Sequence, residues 1–282
     1  MIPEQPPATT PRRFGFGDQE GARSALIASV STLVFVLVAG LLIVNSPSWP
    51  KVRQQFFSRE DFVASWPDVL GGFWVNVQLF FWAMVTIPVV ALVVAIMRSL
   101  RGPGFFPFRA LAVIYTDLFR GVPLFLLIVL LGFGVPTLQI AGLPRSATFW
   151  ALVALTLSYS AYTAEIYRSG IDAVPESQRA SARALGLTQT QALRYAILPQ
   201  AVRNVVPALM NTVVSLQKDV ALVSVVGIRE AVREAEIYTS RTFNYTSYVV
   251  ATVLFLAVSV PLTRLVDWYT ARDRTLRSQA LT

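Results

Sequence analysis

The sequence contains neither cysteine nor histidine, and only 14% of its residues are charged, against roughly 25% in soluble domains. Without cysteine, no disulfide or thiolate metal site can form. Without histidine, the commonest general base, metal ligand and near-neutral titrating group is missing. No G-x-x-x-x-G-K-[ST] segment occurs, so the chain has no phosphate loop with which to grip a nucleotide. Carboxylates remain, but nothing in their pattern points to catalysis. A membrane-embedded enzyme and a self-powered ATPase are both poorly supplied with the groups they need.

Long apolar runs are abundant. Hydrophobic residues make up 54% of the chain, and runs of 18 or more recur, each long enough to cross a hydrocarbon core of about 30 Å as a helix. The first run, Ala25 to Val44, exceeds the roughly 7–15 apolar residues of a secretory signal and is followed by further spans. The pattern predicts an all-α polytopic membrane protein with about six spans, at 24–45, 70–97, 110–133, 147–170, 204–226 and 247–268. Residues 1–23 read as a flexible cytoplasmic tail, 24–69 as the first span and its outer loop, and 271–282 as a second cytoplasmic tail. The rest, 70–270, forms the core and carries a cytoplasmic loop at about 172–203. Between the first two spans, Val52 to Phe57 suits a short interfacial helix. Residues 228–246 alternate charges as a solvated helix does. No internal duplication is visible, so six spans look like half of a pore that a second copy or homologue completes.

Loop charge sets the orientation. With the N-terminus inside, fourteen Lys and Arg residues fall on the inner side against seven outside, which places both termini in the cytoplasm. The net charge of +8 is then mostly inner-loop bias facing anionic lipid. The arginines are dispersed over loops on both sides, and nucleic-acid binding needs them gathered on one face.

The segment ASARALGLTQTQALRYAILP, Ala180 to Pro199, is a polar, arginine-bearing insertion between apolar spans. Pro175 suits the first turn of a helix carrying Gln178, Ala180, Ala182 and Leu185. Gly186 follows as a left-handed C-terminal cap. Thr188 and Gln191 have capping-box spacing for a second helix, which Pro199 should interrupt. Such a hairpin either lies on lipid headgroups or docks against a protein. It has small apolar faces and no aromatic anchor between Val174 and Arg194, which favours docking.

Ionisable residues inside spans cost roughly 2.5–3.5 kcal/mol each on insertion scales, so they pair or face water. Asp117 with Arg120, and Glu165 with Arg168, have i,i+3 spacing and are expected to pair on one helix face. Lys218 and Asp219 are adjacent and diverge by about 100°, so each needs another partner or the helix must unwind. Ser158, Ala161 and Tyr162 share a face with Glu165 and are expected to line a path with it. The bland reading is that these are interhelical packing pairs, or side chains that snorkel to water.

The polar segment resembles the EAA loop of the membrane subunits of ABC importers. Ala180-Ser181-Ala182 stands at the EAA position, Gly186 at the glycine, and Leu198-Pro199 at the closing Leu-Pro, with Ala196 where that pattern has isoleucine. Three more segments resemble the polar amino acid branch: Asp117 to Pro123 (DLFRGVP), Ser160 to Arg168 (SAYTAEIYR) and Leu216 to Leu222 (LQKDVAL). The sequence departs from the family at Ala180, where the family has glutamate, at Ser177, where it has glycine, and at Val220-Ala221, where it has Thr-Ser. The resemblance covers about residues 70–270 and implies the type I ABC importer permease fold. It also implies a non-catalytic permease in a bacterial cytoplasmic membrane, importing a polar amino acid without cofactor or metal. Implied partners are ATP-binding cassette ATPase subunits, a second permease copy or homologue, and an extracytoplasmic solute-binding protein. ATPase coupling would fall to Ser177, Gln178, Ala180, Ser181, Ala182, Gly186, Leu198 and Pro199. The translocation path would fall to Arg120, Gly121, Pro123, Tyr162, Glu165, Lys218 and Asp219. An autonomous secondary transporter or channel stands as the second reading, and would work without ATP.

Overall fold

The computed structural model describes residues 19–100 and 102–279, with side chains over 23–100 and 102–273. Most of the expected N-terminal tail, Arg101 and the last three residues lie outside the described residues. The chain divides into two compact units, Met1–Gln54 and Gln55–Thr282. The first holds α1 (Gln19–Val44), apolar on every side as a membrane helix is, and the start of α2 (Trp49–Phe56). The second contains every other element.

Helix α3 (Arg59–Ser99) starts at Ser58, whose hydroxyl accepts from the Asp61 backbone N–H at 3.3 Å, with Glu60 and Asp61 in the positive first turn. It therefore begins eleven residues before the span expected at 70–97, and absorbs part of what reads as an outer loop. Its buried stripe runs Val69, Gly72, Phe73, Asn76, Leu79, Ala83, Ile87, Ala91 and Val94, the three-and-four spacing of a helix face. At Gly72 the stripe meets the loop before α11 (Ala231–Thr242) so closely that a Cβ would lie 2.6 Å from the Glu230 carbonyl carbon.

The third expected span, 110–133, is not one helix. Helix α4 (Phe106–Gly121) stops at Val122, and α5 (Leu124–Val129) leaves after Pro123; the two arms, Pro103–Gly121 and Leu124–Thr137, meet at 103°. Proline disfavours the helical conformation in the residue before it. Val122 accordingly sits at φ −83°, ψ 126°, and the chain turns. A wide π turn, Leu130–Gly134, and the short α6 (Val135–Thr137) complete the second arm.

Helix α7 (Ala147–Asp172) occupies the centre and buries Ala151, Ala154, Leu155, Ser158, Ala161 and Ala164. Small residues let membrane helices approach closely. Gly170 is the tightest case, because a Cβ there would come within 2.1 Å of Val205 Cγ1 on α10 (Leu198–Asp219). Four stretches are long and apolar enough to span a bilayer: Arg23–Val44, Trp49–Ser99, Gln189–Val226 and Thr246–Asp273. The bent α4–α5 pair makes a fifth. The remaining expected span is α7, whose 26 residues reach about 39 Å but whose Ser, Thr and Tyr residues lower its apolar character.

At the far end of α10 the helix tightens to a 3-10 turn, Val220–Val226, and closes on Gly227 at φ +79°. The following α11 is not freely solvated as its charge alternation suggests. Glu230 is buried and caps it, accepting from the Val232 and Arg233 backbone N–H groups at 3.0 and 2.8 Å and from Asn76 Nδ2 of α3 at 3.0 Å. Burial pushes the Glu230 carboxyl above its ordinary value, against the pull of those three hydrogen bonds. On the other side Ser247, at the start of α12 (Thr246–Gln279), donates to the Ala235 carbonyl at 2.9 Å.

Replacing Gly72 by alanine pushes α3 against backbone that cannot retreat, an overpacking cost of about 1–3 kcal/mol. The detergent-solubilised variant should melt several degrees below the parent. Gly71→Ala, with nothing within 4 Å, should melt at or slightly above the parent temperature.

Candidate functional site

The α4–α5 break, α7 and α10 enclose a cleft of about 750 Å³. The break supplies Arg120, Gly121 and Pro123. From α7 come Ser158, Tyr159, Tyr162, Glu165 and Ser169, and from α10 Asn211, Thr212, Ser215 and Asp219. Each set follows helical spacing, so two polar stripes face one another in an otherwise apolar core. Six of the seven residues expected on a path lie here: Arg120, Gly121, Pro123, Tyr162, Glu165 and Asp219.

Lys218 does not join them. It opens instead on a separate cleft of about 640 Å³ with Ser259, Arg264 and Asp267 of α12. The divergence expected of adjacent residues on a helix separates it from Asp219, and the helix also changes to a 3-10 turn one residue later. Asp219 is held by the Tyr159 hydroxyl, which donates to Oδ2 at 2.6 Å.

The ion pairs differ from the i,i+3 pairs expected from spacing. Asp117 is exposed, and Arg120 turns instead toward Glu165 Oε2 at 3.8 Å. Arg168 pairs with Asp172 at 3.4 Å, one turn further on. The close partner of Glu165 is Arg98, the last arginine of α3, whose Nη1 lies 2.5 Å from Oε2 and also donates to Thr116 Oγ1 at 3.2 Å. The Arg98 side chain is 14% exposed and that of Arg120 41%, so the Arg98 contact is both shorter and less screened by water. Arg120 also lies 5.7 Å from the Tyr162 ring centre, while the Tyr162 hydroxyl donates to the Arg120 carbonyl at 3.1 Å. Ala161, expected beside Glu165 on the path, is fully buried against other helices and does not reach the cleft.

Sequence patterning missed three features. Arg98 counts there as a loop cation, because its partners are 18 and 67 residues away. Tyr159 is inconspicuous among its neighbours. The stripe Asn211, Ser215, Asp219 went unread, although polar residues four apart in an apolar run are a signal that marks one face.

The loop between α7 and α10 folds as an elbow of two short helices. Helix α8 (Glu176–Ala184) follows Pro175, which serves as its N-cap, one position before the expected first turn. Gly186 takes φ +78°. The Leu187 N–H bonds the Ala182 carbonyl at 3.2 Å and the Gly186 N–H bonds the Arg183 carbonyl at 2.9 Å, the two bonds of a Schellman cap. Thr188 and Gln191 form a reciprocal capping box at the start of α9 (Gln189–Ala192). Pro199 does not interrupt the helical path out of the elbow. A π turn, Leu193–Ile197, widens the helix just before it, and α10 begins at Leu198 with proline in its first turn, where no N–H is needed.

The elbow is fastened to both arms. Arg179 donates to the Ile171 carbonyl of α7 at 2.8 Å, and Val174 packs with Ile197 and Ala201. Ala182 is buried, whereas Ser177, Gln178, Ala180, Ser181, Gly186, Leu198 and Pro199 are exposed, and Leu185 at the tip is 81% exposed. Glu176 is engaged internally, by Arg183 at 3.0 Å and Arg179 at 3.7 Å. The two helices leaving this elbow, α7 and α10, are the two that line the cleft.

Residues 104–274 match the family described as the binding-protein-dependent transport system inner membrane component. The chain belongs to that family. The permease is 34% identical over 180 residues to the arginine transport system permease protein ArtQ of Bacillus subtilis, covering 64% of this chain and 80% of that one. It is 31% identical over 222 residues to the probable amino-acid ABC transporter permease YckA of the same organism, covering 77% and 92%. Among solved structures, an amino acid ABC transporter crystallised with histidines matches with a TM-score of 0.67 and 31% identity, over 73% of this chain and 94% of that one. The methionine ABC transporter MetNI, in an inward-facing conformation, shares the fold at 20% identity and a TM-score of 0.58. The permease is thus a multi-pass inner membrane protein with the ABC importer permease fold.

Around Gly186 a side chain has space but the wrong backbone: nothing lies within 4 Å of a Cβ, yet φ is +78°. Gly186→Val should therefore cost about 1–2 kcal/mol locally and speed protease cleavage between α8 and α9. The melting temperature of the membrane core should stay unchanged, and Gly186→Asn should resist cleavage better than Gly186→Val.

Proposed function

We propose that this chain is the membrane-spanning permease subunit of an ATP-driven importer and forms the translocation path for a polar amino acid. The observation that carries this reading is mechanical. One rigid elbow, pinned to α7 by Arg179 and to α10 through Ile197 and Ala201, continues into the two helices that bear Glu165 and Asp219. A displacement of the elbow is delivered to both walls of the cleft at once. Family membership supports dependence on a binding protein, and relatives named for arginine and glutamine transport support an amino acid.

In this reading Ser177, Gln178, Ala180, Ser181, Gly186, Leu198 and Pro199 present the elbow to a separate ATP-binding cassette subunit, with Ala182 packed beneath them. Leu185 adds an apolar tip. ATP-driven closure of the ATPase pair pushes the elbow, tilts α7 and α10 and opens the cleft outward. Hydrolysis returns it inward. Both termini lie in the cytoplasm, and a second permease copy or homologue supplies the facing half of the path. The permease contributes alternating access and no bond chemistry. Arg120 offers two parallel donors to a carboxylate, and Glu165 offers an acceptor to an α-ammonium group. The break at Gly121 to Pro123 lets the chain swing between α4 and α5.

The test is uptake of labelled amino acids into proteoliposomes that hold the permease, its ATPase and its binding protein. Uptake should require ATP and at least one polar amino acid should be accumulated. Glu165→Gln should slow uptake about tenfold or more, the loss of one charge-assisted contact, and Gly186→Val should leave ATP hydrolysis running while uptake falls. ATP-independent uptake would refute the proposal.

A further inference from the structure

Resting on that reading of the cleft, the charges around it name the class of solute. The lining carries one cation, Arg120, and two carboxylates, Glu165 and Asp219, which alone make the cleft net negative. Arg98 is not part of the lining. It reaches Glu165 from behind, from the end of α3, and holds Oε2 at 2.5 Å. Its position is set by Thr116, whose buried hydroxyl accepts from Arg98 at 3.2 Å and donates on to the Val113 and Ala112 carbonyls at 2.9 and 3.1 Å. An arginine stays charged in any protein environment, and this one is mostly withdrawn from water. Glu165 is thus a paired anion with Oε2 occupied, and among the described residues no hydrogen bond reaches Oε1.

We infer that Arg98 is a specificity-determining positioning residue, which cancels one carboxylate and tunes the cleft to an α-amino acid of zero net charge in preference to a cationic one. Two arginines and two carboxylates sum to zero at the site. A zwitterion adds no net charge to that balance: its carboxylate takes Arg120 and its ammonium takes Glu165. A lysine or arginine solute brings a surplus cation into a low-dielectric cleft already balanced without it. If Arg98 were neutral, the surplus would become an attraction.

The test uses the detergent-purified complex of permease and ATPase without the binding protein, so that only the cleft selects. Radiolabelled glutamine is bound and displaced with unlabelled glutamine or arginine. The parent should favour glutamine. Arg98→Met should shift the arginine-to-glutamine affinity ratio toward arginine by about tenfold, the scale of one unit charge across a partly screened site. Arg98→Lys, which keeps the charge, should retain the parental ratio. The double variant Arg98→Met with Glu165→Gln removes one charge of each sign and should return the ratio to the parental value. A merely structural role for Arg98 predicts equal weakening of both ligands, with no recovery in the double variant, and that result would overturn the inference. So would a parent that prefers arginine. Should Arg98→Met fail to fold, Arg98→Gln, which removes the charge but keeps a donor for Thr116, takes its place with the same expected shift, and an unshifted ratio overturns the inference. A parent that binds no amino acid at all overturns the transport reading itself, and the inference falls with it.

Discussion

Helix α7 packs through Ala151, Ala154, Ala161, Ala164 and Gly170, and that choice of small residues lets α3, α4 and α10 come against it without intervening bulk. In a bilayer, lipid tails are as apolar as leucine, so helices gain little from hiding apolar surface from one another and associate through close contact and polar pairing. Both terms are visible here. Gly170 against Val205 is the close contact, and Glu165 against Arg98 the polar pairing. Widening α7 at either place would separate the walls of the cleft and detach the elbow from them.

Around that rigid centre, proline and glycine set where the chain bends. Val122-Pro123 divides one apolar run into two arms at 103°, and the break exposes Arg120 and Gly121 to the cleft. Pro199 and the π turn before it join the elbow to α10 without a gap, and Gly186 closes α8 with a left-handed residue. In each case the broken backbone lies beside the cleft or on the exposed loop, where polar partners satisfy the freed groups. The bends thus lie beside the cleft and at the elbow, where the proposed alternating access needs them, and straight helices join the two.

Charge follows the same economy of placement. Every carboxylate of the cleft has a hydrogen-bonding partner: Glu165 has Arg98, and Asp219 has the Tyr159 hydroxyl. Arg120 is the more exposed and more loosely held cation, which fits its proposed contact with a transient solute. Asn76 and Glu230 tie α3 to the start of α11 through buried hydrogen bonds, while the Arg229–Glu234 and Arg233–Glu236 ion pairs lie within the α11 segment itself.

Much of this was legible along the chain. Hydropathy marked the membrane helices, Gly186 and the Thr188–Gln191 spacing marked the elbow, and segments around Arg120, Glu165 and Asp219 marked the cleft. Local chemistry decides such features: a left-handed cap needs glycine, a capping box needs its two polar residues three apart, and a span needs its apolar length. Helix ends were less legible, as the early start of α3 and the division of 110–133 show. What only the tertiary structure decided was pairing. Glu165 lies three residues from Arg168 and three-dimensionally against Arg98; Lys218 lies beside Asp219 in sequence and opens on a different cleft. Adjacency along a helix fixes only which face a side chain occupies, whereas an ion pair forms with whatever charge the neighbouring helix brings to that face at the same depth.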